Sequence, residues 1–345
     1  MLGSSRFDVC QLGLRRLIDR MTISSLGSSG INVSRISLGL GFRGQRDVNT
    51  MVSVVQQALD HGVTFFDCSN RYGKTLDSPY GGMAEVALGR SISGCRDEVV
   101  ITSKVGMNVG AGPNDFGGSR LHIMREVDRS LQRLATDHID IYLVHCRDVE
   151  TALEETVASM IDVVRQGKAR AWGVANFTAW EACKALCIAD RLGGPRPSVV
   201  QSPYNLLCRD VERELLSFCR VENLGLMTYG PLAIGLLSGF YRPFTPPPKG
   251  SVMAESARRL YEQSFRGQAI EVLSEVERIA EQRECAPSQV ALNWVLSHSE
   301  VSSAIVGCDV PEQVDVNMAA AEWCLTASER DDLDTVSHSA SLSVY

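Results

Sequence analysis

The feature that most constrains the fold is an alternation of short apolar runs and longer helical repeats along most of the chain. Runs rich in β-branched and aromatic residues stand at 36–40, 63–67, 98–103, 139–145, 169–174, 198–201, 224–228 and 302–306. Between and after them, apolar residues recur at helical spacing over 47–61, 83–92, 120–134, 151–165, 178–190, 210–222, 267–283, 287–298 and 311–321. In the first of these, Asp47 is placed to N-cap Val48, Met51, Val52, Val55, Ala58 and Leu59. Strands that alternate with helices predict a parallel sheet, and eight such units argue for closure into a (β/α)8 TIM barrel. A barrel carries its active site at the carboxyl ends of its strands.

The barrel is expected to be one domain over residues 22–335, preceded by a disordered extension over 1–21 and followed by a tail over 336–345. Ile23 to Asn32, with glycines at 27 and 30, reads as a short hairpin. After the seventh strand the rhythm breaks into a long segment, Gly230 to Ser264, with Pro243, Pro246, Pro247, Pro248 and Gly250. Loops of that length in a compact domain are usually functional or disordered.

A net charge of −7 and a pI near 5.5 argue against nucleic acid or an anionic membrane as partner. No apolar run approaches the length of a membrane span. The first twenty residues mix Arg6, Arg15, Arg16 and Arg20 with Asp8 and Asp19 and lack the apolar core of a secretory signal. Eleven cysteines, an odd number without a C-x-x-C pair, read as reduced thiols, which points to the cytoplasm. The histidines show no ligand spacing, so no metal is expected. Oligomeric state is not legible, and a homo-oligomer stays open.

Four residues at strand ends carry the chemistry. Asp67 closes the run Val63-Thr64-Phe65-Phe66, and Tyr72 follows five residues later; Lys104 and His145 end the next two runs. On neighbouring parallel strands they converge at one rim. A lysine beside a phenol favours the phenolate and is expected to lower its pKa. Asp67 would hold Lys104 charged, and His145 would orient a carbonyl oxygen while Tyr72 delivers a proton. A lone lysine or histidine at a strand end is more often structural than catalytic.

At this point the chain resembles the aldo-keto reductases, barrel oxidoreductases with a nicotinamide cofactor and an Asp, Tyr, Lys and His tetrad. The likeness extends over Gly117-Gly118-Ser119-Arg120, Asp137-His138-Ile139-Asp140, Gly167 to Val174, Gln201-Ser202-Pro203-Tyr204-Asn205 and Pro231-Leu232-Ala233. It implies that the hairpin caps the bottom of the barrel. It also implies that Asn176 and Gln201 meet the nicotinamide carboxamide, with Ala175 where relatives have serine, and that Tyr229 lies on the nicotinamide face. Gly230, Pro231, Leu232, Gly235, Leu236 and Ser238 would run beside the pyrophosphate, and Gly307, Asp309, Gln313 and Asn317 would take the adenosine end. Many relatives that bind NADPH carry 2′-phosphate anchors where this chain has Val252 and Asp309. A carboxylate repels a phosphate and can accept from a ribose hydroxyl, so NADH is favoured, with NADPH as the family's habit and Arg258 or Arg259 as potential substitutes.

Substrate contacts are expected from Phe42, Arg43, Asn70, Arg71 and Arg147, a set polar enough to suggest a sugar or another hydroxylated or anionic carbonyl compound. The implied activity is reversible reduction of an aldehyde or ketone to the alcohol. Two alternatives stay open. Some relatives with an intact tetrad are channel-associated regulatory subunits, so a slow, redox-sensing subunit is one. The other is a Rossmann dehydrogenase, because Gly39-Leu40-Gly41-Phe42-Arg43-Gly44 is a G-x-G-x-x-G after a strand; against it, helical spacing begins only after Asp47.

Overall fold

The computed structural model describes residues 23–255, 258, 261–262 and 268–338. Its centre is a closed barrel of eight parallel strands: Ile36–Gly39, Phe65–Asp67, Val100–Val105, Ile139–Val144, Ala169–Ala175, Val199–Pro203, Gly225–Tyr229 and Val301–Gly307. Each pairs with its neighbours in sequence, and the last closes on the first through Ala304 opposite Ile36 and Val306 opposite Leu38. All eight expected strands are present. A closed barrel excludes the Rossmann alternative, and the helix after the glycine motif begins at Val48, capped by Asp47 through the N–H groups of Asn49 and Thr50.

Alternation along each strand sorts side chains into two cores. Phe65, Ile141, Leu143, Ala175, Val199, Met227 and Ile305 fill the barrel interior, and Leu26 and Val33 from the hairpin Ile23–Ser25/Asn32–Ser34 plug its lower end. At Gly27, φ is +56° and a Cβ would come within 2.2 Å of the Gly225 amide nitrogen, so only glycine lets the hairpin lie this close to the barrel. The outward residues, among them Phe66, Ile101, Tyr142, Trp172 and Val200, pack beneath the surrounding helices.

Helices Met83–Ile92 and Arg120–Leu134 begin and end where their apolar spacing does. Elsewhere the structure departs from expectation for local reasons. Residues Arg96–Glu98 form a 3-10 turn ahead of the third strand, with the Arg96 guanidinium on Thr136, His138 and Asp140. Segment 210–222 divides into a 3-10 turn and the helix Leu215–Val221. A helix not anticipated, Ala327–Ser337, starts from a capping box of Thr326 and Glu329 and crosses the expected boundary at 336. The extension over 1–21 and residues 339–345 of the tail lie outside the described residues. The long loop contains a 3-10 turn, Ala233–Ser238, and a short helix, Val252–Glu255, and is tied down by the Tyr261 hydroxyl on the carbonyls of Arg242 and Thr245.

Candidate active site

Asp67, Lys104, Gln201 and Tyr229 share the inward register of Phe65, Thr102, Val199 and Met227, two residues nearer the carboxyl end of each strand. Lys104 is fully buried, and its Nζ lies 2.6 Å from Asp67 Oδ2, 2.8 Å from the Cys68 carbonyl oxygen and 3.5 Å from the Tyr72 hydroxyl. The other Asp67 oxygen accepts from Gln201 Nε2 at 2.8 Å. The Tyr72 hydroxyl is also 3.5 Å from His145 Nε2, the rings meeting edge to face. All four expected catalytic residues are therefore together. The Tyr72 carbonyl accepts from the Gly82 amide at the start of helix Met83–Ile92. Gly73, with φ +70°, brings the backbone to within 2.3 Å, measured from an added Cβ, of the Ala84 nitrogen, so the phenol's loop is clamped to that helix.

Burial disfavours the Lys104 cation, but Asp67 and then Tyr72 outweigh it and hold the ammonium above its ordinary pKa. The expectation that Lys104 leaves Tyr72 with a lowered pKa is corrected. Burial raises the phenol, Lys104 opposes this without reversing it, and the net shift is upward. Tyr72 therefore stays protonated at neutral pH, with Lys104 offsetting part of the cost that burial sets on the phenolate. Burial, then Lys104, then Arg71, lowers His145 to about 3, so its ring is neutral.

The residues expected at the nicotinamide end lie beside this group. Asn176, in the left-handed conformation at φ +60°, donates to the His145 carbonyl oxygen at 2.8 Å and accepts from the Tyr229 hydroxyl at 2.8 Å. Ala175 is wholly buried and offers only a methyl group. Gly230 has φ +65° and Gly235 φ +89°; Pro231 and Leu236 are buried, Leu232 is half-buried, and Ser238 Oγ donates to the Gly235 carbonyl. At the far end Gly307 is exposed, Gln313 accepts from the Asp309 amide at 2.8 Å, and Asn317 is buried with its amide on Cys308 Sγ. The Asp309 carboxylate accepts from the Gly44 amide at 3.2 Å. Val252 borders the same glycine, so both residues singled out at the 2′ position meet there.

The substrate candidates divide. Arg43 is exposed and Arg71 half-buried, and both lie close enough to act electrostatically on the candidate catalytic groups, Arg43 on Tyr72 and Arg71 on His145. Phe42 and Asn70 are more enclosed: Phe42 is buried in the outer core, and Asn70 is buried with its amide nitrogen on Glu126 Oε2 at 3.2 Å. Arg147 is held by the Thr151 carbonyl. Sequence reasoning missed Arg46, which donates to the Lys74 carbonyl, and Ser69, whose Oγ lies 3.3 Å from His145 Nδ1. Ser69 is two residues from Asp67 in the same loop, but its partner is 76 residues away and no local pattern announces it. Among the described residues no group of three or more His, Cys, Asp or Glu is placed to hold a metal ion, and no helix is long and apolar enough to cross a membrane.

The sequence is similar to those of known proteins. The profile of the Aldo/keto reductase family matches residues 35–338. A probable voltage-gated potassium channel subunit beta of Arabidopsis thaliana is 35% identical over 308 residues, covering 88% of this chain and 92% of its own length. A putative subunit of the same kind from Schizosaccharomyces pombe is 33% identical over 86% of this chain and 87% of its own. The L-glyceraldehyde 3-phosphate reductase of Escherichia coli O157:H7 is 31% identical over 85% of this chain and 86% of its own.

Proposed function

The chain belongs to the aldo/keto reductase family, and from that premise we propose that it reversibly reduces a small, hydroxylated or anionic aldehyde or ketone, with Tyr72 as general acid and base. The observation that carries this reading is the Tyr72 hydroxyl, set 3.5 Å from both Lys104 Nζ and His145 Nε2 at the mouth of the barrel. A carbonyl oxygen placed between the phenol and the imidazole receives two hydrogen bonds. As charge develops on that oxygen, the Tyr72 proton transfers to it, and the ammonium of Lys104, fixed by Asp67, stabilises the phenolate left behind. In oxidation the phenolate takes the proton back. Asp67 is held in turn by Gln201, so the pair keeps its geometry through the cycle.

The residues present fit a nicotinamide cofactor, which when bound supplies or accepts the hydride. Gln201 Oε1 has no protein donor among the described residues, Asn176 is exposed with one amide proton unspent, and the Tyr229 ring offers a half-buried flat face beside them. Asn176, Gln201 and Tyr229 would hold the nicotinamide end. For the other end, NADH is read as serving at least as well as NADPH: the resemblance puts Val252 and Asp309 where many relatives anchor the 2′-phosphate, and the two residues border the same Gly44, which supports reading them together. Arg43 and Arg46 lie near enough to oppose the raised pKa that burial gives Asp309, which limits this preference.

The substrate class is supported by charge. Arg43, Arg46, Arg71 and Lys74 surround the mouth, and among the described residues none forms an ion pair, whereas most arginines elsewhere on the surface do. Burial, then Arg71 and Arg46, lowers the Lys74 pKa, so these cations repel one another although Asp309 lies near Arg43 and Arg46. An anion relieves that repulsion. L-Glyceraldehyde 3-phosphate, in the name of one relative, is a phosphorylated hydroxyaldehyde of this class. Turnover assays of phosphorylated, carboxylated and neutral sugar aldehydes with both reduced cofactors test the reading; activity confined to apolar aldehydes, or none at all, contradicts it.

A second reading is favoured by the names of the channel-subunit relatives: a regulatory subunit of the same fold that turns over slowly and senses the redox state of its cofactor. Cofactor co-purifying with the protein and a turnover of less than about one per minute on every carbonyl tested would select it. A cytoplasmic setting suits either reading.

A further inference from the structure

Ser69 occupies a position that the four catalytic residues do not account for. Its side chain is fully buried, and its Oγ accepts from the Arg71 amide at 3.2 Å. The hydroxyl proton is then free to be donated, and the nearest acceptor is His145 Nδ1 at 3.3 Å; Asn70 Oδ1 stands further off at 3.5 Å. Asn70 is itself bolted through the barrel wall to Glu126, which also takes Arg129 at 2.8 Å, so the loop carrying Ser69 and Tyr72 cannot drift from His145.

The neutral imidazole has one N–H, and its position decides what His145 can do. With the proton on Nδ1, the bare Nε2 accepts from the Tyr72 hydroxyl, and the acid's proton is directed to histidine and away from a carbonyl. With the proton on Nε2, His145 is a donor, the phenol's proton is free for the substrate, and Nδ1 needs a donor of its own. We propose that Ser69 is that donor: a positioning residue whose hydroxyl sets the Nε2–H tautomer of His145 and so makes the histidine a carbonyl-orienting group. The catalytic consequence rests on the carbonyl reductase reading given above, while the tautomer itself does not.

Nitrogen-15 NMR of histidine-labelled full-length protein at neutral pH, with the oxidised nicotinamide cofactor present and the His145 signals assigned by their loss in His145→Asn, reads the tautomer directly. The expected result is a protonated Nε2 and a bare Nδ1 in the unaltered protein, a substantial shift toward Nδ1–H in Ser69→Ala, and recovery in Ser69→Thr. In steady-state reduction, Ser69→Ala should lower kcat roughly five- to tenfold, about the worth of one hydrogen bond, with KM within about twofold. An Nδ1–H tautomer in the unaltered protein overturns the proposal, and this outcome needs no variant to fold. So does an unchanged tautomer in Ser69→Ala, or a shifted tautomer with unchanged kcat. A serine-dependent Nε2–H tautomer in a protein that reduces none of the carbonyls upholds the assignment of Ser69 and defeats the reductase reading instead.

Discussion

Two buried charge networks flank the same barrel strand and do different things. Lys104 faces inward, to Asp67 and Tyr72. Its neighbour Ser103 faces outward, donating at 2.5 Å to Glu85, which is fully buried beneath the helices and paired with Arg133 at 2.6 Å. Each side also has a tyrosine whose pKa burial raises, Tyr72 inside and Tyr142 outside. Burial, ion pairing and a shifted phenol are thus common to both. The inner network leaves one exchangeable proton at an open mouth, on a phenol that stands between an ammonium and an imidazole. The outer network closes on itself. A perturbed pKa marks catalysis only where a third, accessible group can use it.

The comparison can be broken most severely at Lys104. Lys104→Met should lower turnover by at least about a hundredfold. It should also destabilise the fold by about 3–5 kcal/mol, because it leaves the Asp67 carboxylate buried without its cation. Steady-state kinetics and chemical denaturation read the two effects. Near-normal turnover would show that the inner pair is as structural as the outer one. Glu85→Gln should produce the opposite profile, a loss of about 2–3 kcal/mol, reduced because Arg133 is partly exposed, with kcat of the folded protein within about twofold. A large loss of kcat with intact stability would erase the distinction.

His145 sharpens the comparison through pH. Its folded pKa of about 3 lies below the ordinary histidine value of 6.5. Between those values the unfolded chain binds a proton that the folded protein refuses, so stability is full above about 6.5 and falls as pH drops toward 3. His122 and His298, also lowered by burial, add to the same trend. His145→Asn should flatten the fall in Tm between pH 7 and pH 4 without abolishing it; an identical profile would mean that His145 is solvated and charged in this range. The smallest expected effect is at Tyr142, whose hydroxyl is buried without a well-formed hydrogen bond. Tyr142→Phe should leave kcat and Tm almost unchanged, and a marked loss in either would give the outer network a role the inner one was thought to hold alone.

The sequence made the strands and most helices legible because each carries its own period, and the tetrad because each member ends or closely follows an apolar run. What it hid depends on distance or burial. Helix Ala327–Ser337 has only Leu333 and Ser337 buried, so its apolar signal is faint, although Thr326 and Glu329 announce its start. Asn70 reads as a loop residue beside the site, and only the fold reveals Glu126 behind it. The direction of the Tyr72 shift was misjudged because a lysine at fixed spacing is visible in sequence while the cost of burying the phenolate is not. Arg46 and Lys74 become a cationic rim only when two loops meet.

The central claim is that the Tyr72 proton is what the reaction transfers. Tyr72→Phe keeps the ring, its packing against His145 and the Lys104–Asp67 pair, and removes the hydroxyl that carries that proton. The most direct measurement is single-turnover reduction of a carbonyl substrate, followed by reduced-nicotinamide absorbance, alongside cofactor affinity from fluorescence titration. The account predicts cofactor binding within about twofold of the unaltered protein and a hydride-transfer rate lower by at least about two orders of magnitude. A rate near that of the unaltered protein, with cofactor bound as tightly, would contradict it.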